Sequence, residues 1–290
     1  MKTVKALIEA TMARLQAAGI AQARWDAELL VAHGLKESRL MLYAHPERGV
    51  DEESEAALLS LVGRRASREP LQHLIGLQEF WGLAFNVGRD VFIPRPETEL
   101  LIEAALASQE IWLKQASPIV ADIGTGSGCL AVALAKELPQ AQIYATDLSS
   151  EALVTAEENA KAHGVSRRIR FLAGDLYEPL KRQGLAGQID LIVSNPPYIP
   201  RASLAQLQPE VRDYEPRMAL DGGLDGLSVY RRLLAEAPAL LTPQGVMILE
   251  LGHGQADEVR ALATRSRFMI HRTVRDGAGI PRVLTLLPPH

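Results

Sequence analysis

The 290-residue sequence predicts an α/β protein: a doubly wound, mostly parallel seven-stranded sheet, with a small N-terminal helical bundle and a connecting β-hairpin ahead of it. Three observations carry that prediction. From Pro118 onward short apolar runs alternate with helical periodicity, the pattern of parallel strands joined by crossover helices. The first of these runs turns through the glycine loop Gly124-Thr125-Gly126-Ser127-Gly128. A later run, Leu191 to Ser194, stops at Asn195-Pro196-Pro197-Tyr198, where two prolines forbid further ladder bonding.

Composition narrows the class. Apolar residues make up 47% of the chain, ample for a core, and charged residues 23%. A net charge of −4 opposes broad nucleic-acid binding, which rests on clustered Lys and Arg, although a locally basic face stays open. The single cysteine, Cys129, excludes an intrachain disulfide and a cysteine-based metal cluster, and no metal is expected. Inside a helix it reads as a small core residue rather than a reactive thiol. Lys, Glu and Arg interrupt the apolar positions of Met1 to Ile20, and no run of about 18 apolar residues occurs, so neither a signal peptide nor a membrane span is expected. The expected location is cytoplasmic.

Taken in order, Val4, Leu7, Ile8, Thr11 and Leu15 form a helical stripe closed by Gly19. A second helix is expected from about Trp25 to His33, and a third between Glu52 and Ser67. Residues 1–76 carry ten Lys plus Arg against ten Asp plus Glu. Such a neutral bundle suits a protein-contacting, substrate-docking domain or a stabilising lid, and both readings stand. Residues 77–91 read as the connector, a hairpin around Gly82. The catalytic domain is expected over 92–290. It opens with Phe92-Ile93-Pro94-Arg95-Pro96-Glu97-Thr98-Glu99, in which Pro96 starts a helix running to about Ser108. Arg95, between two prolines, is expected to stand outward and line the site.

Strands are then expected at Ile119–Ile123, Gln142–Thr146, Arg170–Leu172, the run before Asn195, Val246–Leu251 and two late segments. Helices fall at Leu130–Leu138, Glu151–His163, near Gly226–Leu241 and at Gln255–Thr264. His45, His73 and His253 point to no particular chemistry.

The glycine loop is spaced G-x-G-x-G, not the G-x-G-x-x-G that seats a pyrophosphate. Asp122, at the tip of the preceding strand, would repel a pyrophosphate but accept hydrogen bonds from an ammonium. A cofactor with a cationic head and no phosphate fits, and S-adenosylmethionine is such a cofactor. Asp147 ends the second strand at the distance where such folds place an acid against ribose hydroxyls. Asp175 ends the third, able to meet an adenine amine, with Leu176 packing on the ring. Each acid alone is an ordinary strand-end residue; the three together, ahead of Asn-Pro-Pro-Tyr, read as a binding edge.

At that edge the Asn195 side-chain carbonyl and the Pro196 main-chain carbonyl are two acceptors with no ladder partner. They suit a neutral NH2 on a planar group, on which Tyr198 can stack and which Pro197 helps hold. The bland reading of the same tetrapeptide is a strand followed by a proline-rich turn.

These residues resemble the class I, Rossmann-like S-adenosylmethionine-dependent methyltransferases, and within them the HemK-type glutamine-N5 methyltransferases that modify peptide chain release factors. The resemblance spans the helical N-terminal domain, Phe80-Trp81-Gly82, the Pro94-to-Glu99 segment, the glycine loop, Asn195 to Tyr198, and Ala219-Leu220-Asp221-Gly222-Gly223-Leu224-Asp225-Gly226. It implies methyl transfer to the glutamine side chain of the Gly-Gly-Gln loop of class 1 release factors, a protein substrate with no direct nucleic-acid contact. The cofactor residues it implies are Asp122, Gly124, Thr125, Gly126, Ser127, Gly128, Asp147, Asp175, Leu176 and Asn195. Asn195, Pro196 and Tyr198 carry the chemistry, with Pro197 and Arg95 also on the substrate. Leu176 stands where the family often has an aromatic residue, so packing replaces stacking. The alternatives are a glutamine methyltransferase of a ribosomal protein, an adenine-N6 nucleic-acid methyltransferase, and a binding module without catalysis.

Overall fold

The computed structural model describes residues 1–289, which divide into two compact units. The first unit holds α1 (Val4–Ala17), α2 (Ala23–Gly34), α3 (Arg39–Ala44), α4 (Glu52–Ala66) and α5 (Leu71–Ile75). Side chains start two of these helices: Thr3 accepts from the Ala6 amide (3.2 Å) and Asp51 from that of Ser54 (2.8 Å), satisfying amides the first turn leaves open. Leu7, Leu15, Leu30, Val31, Leu58 and Val62 form the core of this unit.

The second unit begins at Gln78, within the hairpin of β1 (Leu77–Phe80) and β2 (Leu83–Asn86). Its two loop residues, Trp81 and Gly82, both have positive φ (54° and 65°), the tight turn whose twist matches that of paired strands. There follow α6 (Glu99–Ala107), α7 (Gln109–Trp112), β3 (Ile119–Ile123), α8 (Cys129–Glu137), β4 (Gln142–Asp147), α9 (Ser150–Ala162), β5 (Ile169–Ala173), α10 (Glu178–Arg182) and β6 (Ile189–Ser194). Next comes α11 (Pro209–Tyr214), which belongs with Leu207–Tyr214 to the first unit, although the sequence pattern assigns those residues to the catalytic domain. The chain then completes the second unit with α12 (Ser228–Glu236), β7 (Leu241–Glu250), α13 (Ala256–Arg265), β8 (Met269–Arg275) and β9 (Pro281–Leu287).

The seven strands β3 to β9 lie in the order β5-β4-β3-β6-β7-β9-β8, parallel as far as β7 and antiparallel at β9 and β8. Every residue of β6 is buried, as a central parallel strand covered on both faces requires. Leu191 and Val193 enter one apolar core and Ile192 the other. The order reverses between β3 and β6, so the crevice outside their carboxyl ends is where such a sheet binds ligands. Among the described residues no helix is long and apolar enough to cross a membrane.

What keeps residues 207–214 with the helical unit is a buried ionic cluster. Arg65, 7% exposed, donates to Asp26 (2.8 Å), to the Glu69 carbonyl (3.1 Å) and to Glu210 (3.1 Å); Arg68 donates to the other Glu210 oxygen (2.8 Å). Replacing Arg65 with alanine strands the Asp26 carboxylate without its partner. The Arg65→Ala protein is therefore expected to lose about 3 kcal/mol of unfolding free energy in urea titrations, and a loss under about 1 kcal/mol would contradict a structural role for the cluster.

Candidate active site

The glycine loop leaves β3 directly after Asp122 and Ile123. The Gly124 and Thr125 amides both donate to the Thr146 carbonyl at the end of β4 (2.9 and 3.0 Å), and the Gly126 amide donates to Asp147 Oδ2 (2.8 Å). Gly124 and Gly126 have φ of 75° and 54°, and a Cβ built on either meets nothing within 4 Å. Backbone conformation, and not crowding, therefore asks for glycine there. Asn159, fully buried on α9, donates to the Ser127 and Asn86 carbonyls (2.9 and 3.0 Å) and locks the end of the loop to the hairpin.

Asp122 is fully buried. Its Oδ2 accepts from the Thr125 hydroxyl (2.6 Å), while among the described residues Oδ1 has no partner, nor does the buried Ser127 hydroxyl nearby in the loop. Burial pushes the Asp122 carboxyl up to about 7. One open carboxylate oxygen and one open hydroxyl, on a loop whose own amides are tied to Thr146 and Asp147, fit the amine and carboxylate of an amino-acid head group.

Asp147 accepts from the amides of Gly126 and, at 2.9 Å, Ser149, one through each oxygen. Asp175 is half exposed and salt-bridged through Oδ2 to Arg232 of α12 (2.6 Å). Leu176 sits at a φ of +47°, its carbonyl accepting from the Thr146 hydroxyl (3.0 Å), and packs on the apolar core beside it.

At the end of β6 the Ser194 hydroxyl donates to the Ile123 carbonyl (2.7 Å), tying the two strand tips together. Asn195 follows, partly exposed, and its Nδ2 donates to the Thr98 hydroxyl oxygen (3.2 Å). Among the described residues nothing donates to Asn195 Oδ1 or to the Pro196 carbonyl. The Tyr198 phenol reaches Glu250 Oε1 at 3.4 Å, and its carbonyl accepts from Gln255 Nε2 (2.9 Å). The Asp-Gly-Gly-x-Asp-Gly segment lies against it: a Cβ on Gly226 would come within 2.3 Å of the Tyr198 carbonyl oxygen, and one on Gly222 within 2.8 Å of its carbonyl carbon. Only glycine permits that approach.

Arg95 is not the outward residue that its flanking prolines predict. Its guanidinium pairs with Glu215, whose side chain is 1% exposed, and lies 4.6 Å over the Phe92 ring. Burial raises the Glu215 carboxyl, Arg95 opposes that shift, and the Ile93 amide also donates to Glu215 (3.2 Å). A carboxylate this deep needs a cation, and Arg95 supplies it. Glu250, Glu215 and Asn159 belong to no local motif that marks them as functional, and sequence reasoning misses all three; Thr98 lies in the Pro94-to-Glu99 segment, which by itself gives it no role. Glu250, the last residue of β7 and 2% exposed, accepts from the Thr98 hydroxyl (2.7 Å), and burial raises its carboxyl to about 7.

Sheet order, glycine loop and strand-end residues together define a class I S-adenosylmethionine-dependent methyltransferase domain. The chain is 45% identical over 282 residues to a release factor glutamine methyltransferase of Geobacter sulfurreducens, covering 97% of this chain and 95% of the relative. It is 44% identical over 261 residues to that of Bordetella pertussis, covering 90% and 93%. The chain belongs to the release factor glutamine methyltransferase family. Residues 6–76 match the family described as PrmC N-terminal domain, and residues 97–207 the methyltransferase small domain. Among solved structures, the hMettl16 catalytic domain superposes with a TM-score of 0.56 at 16% identity, covering 78% of this chain and 81% of that one. A methyltransferase from Pyrococcus furiosus gives 0.50 at 17%, covering 73% and 91%. At those identities the likeness concerns the fold.

Proposed function

We propose that this chain transfers a methyl group to the side-chain N5 of the glutamine in the Gly-Gly-Gln motif of class 1 peptide chain release factors, in the cytoplasm and without contacting nucleic acid. The observation that carries the reading is the pair of donor-free acceptors, Asn195 Oδ1 and the Pro196 carbonyl, at the end of β6. Two acceptors at one strand end can hold both hydrogens of one amide NH2.

Asp122 and the Ser127 hydroxyl, carried on the glycine loop, would hold the methionyl head of S-adenosylmethionine; Asp147 would take the ribose hydroxyls, and Asp175 and Leu176 the adenine. Bound there, the cofactor supplies an electrophilic methyl on a sulfonium. The chain's own part is to make a poor nucleophile competent. An amide nitrogen delocalises its lone pair into the carbonyl. Asn195 and the Pro196 carbonyl, by drawing on both N–H bonds, favour the pyramidal, partly positive nitrogen that develops during attack, and Tyr198 and Pro197 hold the amide plane in register. The nitrogen's proton leaves afterwards to water, and no covalent bond to the enzyme is needed.

The helical unit serves as the docking domain in this reading. It exposes Trp25, Leu40, Met41 and Tyr43 beside an open cleft of about 550 Å³, apolar surface of the kind that contacts a protein partner. Labelled S-adenosylmethionine offered with a class 1 release factor, a large-subunit ribosomal protein or DNA tests the substrate. Label on the release factor alone is expected; label on either of the others instead would transfer the assignment to that substrate.

A further inference from the structure

We propose that Thr98 and Glu250 fix which way the Asn195 side-chain amide faces, turning its oxygen, and not its NH2, toward the target nitrogen. The inference rests on the reading of Asn195 as an acceptor and names two positioning residues for that site.

An asparagine amide can be rotated by half a turn with little change of shape, yet the two orientations are chemically opposite. One presents an acceptor and the other two donors. Only the acceptor can hold an amide NH2, so something must choose. Thr98 Oγ1 lies 2.7 Å from Glu250 Oε2 and 3.2 Å from Asn195 Nδ2. In its ionised form Glu250 only accepts, so the one hydroxyl hydrogen of Thr98 then goes to Glu250. What Thr98 then offers Asn195 is a lone pair, which welcomes an N–H and repels a carbonyl oxygen. The NH2 of Asn195 is thereby drawn inward, and Oδ1 is left facing out.

The relay is sealed and held. Thr98 and Glu250 are each 2% exposed, so water does not compete for the hydroxyl. The Glu250 main-chain carbonyl accepts from the buried Tyr230 phenol (2.7 Å), and the end of β7 is pinned in consequence. On the other side Glu99, beside Thr98, accepts from the Trp81 amide (2.7 Å) and anchors the turn that carries the hydroxyl. Within the Glu-Thr-Glu continuation of Pro94-Arg95-Pro96, Glu99 thus braces the turn while Thr98 orients the acceptor.

The test compares Thr98→Val, which keeps the shape and removes the hydroxyl, with Thr98→Ser, which keeps the hydroxyl. Methylation of a class 1 release factor is followed at saturating S-adenosylmethionine, with cofactor affinity measured separately by calorimetry. Thr98→Val is expected to lower kcat by roughly 10- to 100-fold with KM and cofactor Kd unchanged, and Thr98→Ser to stay within about threefold of wild type. Glu250→Gln, whose NH2 can donate to Thr98 and so release its hydroxyl toward Asn195, is expected to lower kcat in the same way, and it keeps the test decisive should Thr98→Val fail to fold. Wild-type kcat in Thr98→Val, or equal losses in the Val and Ser variants, would overturn the proposal. If wild type itself places no methyl on the release factor, the substrate reading fails instead, and the two failures are distinct.

Discussion

Asp122→Asn is expected to weaken S-adenosylmethionine binding on the order of a hundredfold while making the cofactor-free protein more resistant to unfolding at neutral pH and above. Both halves come from one carboxyl. Asp122 is fully buried, and burial raises it from 3.8 to about 7. A carboxyl whose folded pKa is raised binds a proton in the folded state that it lacks in the unfolded one, so its contribution to stability falls as pH rises from 3.8 toward about 7 and stays at its least favourable above that. Asparagine removes that cost. It also removes the charge that a cationic head group requires, and its own NH2 faces the incoming ammonium.

The same sign governs the wild-type protein. Below about pH 7 a proton must leave Asp122 before it can pair with an ammonium, so cofactor affinity is expected to climb between about pH 6 and pH 7.5 and then level, with proton release on binding. Calorimetry in two buffers of different ionisation enthalpy reads that release directly. A flat profile, or Asp122→Asn binding as tightly as wild type, would remove Asp122 from the cofactor site.

Asn195→Ala is expected to lower kcat by roughly 10²- to 10³-fold, with KM for the release factor within a few-fold of wild type. In the proposed mechanism the acceptor acts mainly on the nitrogen as it becomes pyramidal and positive, so its loss would fall on the chemical step. Binding of the protein substrate, spread over a larger surface, is largely spared. Single-turnover measurements at saturating cofactor separate the two. A raised KM with kcat intact would make Asn195 a docking residue and not part of the chemistry.

Much of this site can be read from the chain because its parts are local. The glycine loop, Asp122 two residues before it, Asp147 at the next strand end and Asn195 to Tyr198 each sit within one strand-to-loop junction, where a few adjacent residues determine what the backbone can do. The parts that escape such reading are those made across the fold. Thr98 meets Glu250 at a separation of 152 residues, and Arg65 meets Glu210 at 145. Nothing in a Thr, a Glu or an Arg foretells a partner so far away.

Arg95 shows the same limit from the other side: its prolines stiffen the backbone, but Glu215, 120 residues later, decides where the guanidinium goes. Helices such as α3, α5, α7 and α10, of four to six residues, are too short to display a period. The expected helix to Leu241 ends instead at Glu236, since Pro238 follows, and β7 begins at Leu241 through a segment whose Pro243 and Gly245 read as a turn.

Whether the two acceptors after β6 present a glutamine amide for methylation is read by fragmentation mass spectrometry of the Gly-Gly-Gln peptide, from a class 1 release factor incubated with this protein and S-adenosylmethionine. One methyl is expected, on the glutamine side-chain nitrogen, installed at least about a hundredfold more slowly when Asn195→Ala replaces wild type. A methyl on any other residue of the factor, or one that Asn195→Ala installs at the wild-type rate, would contradict it.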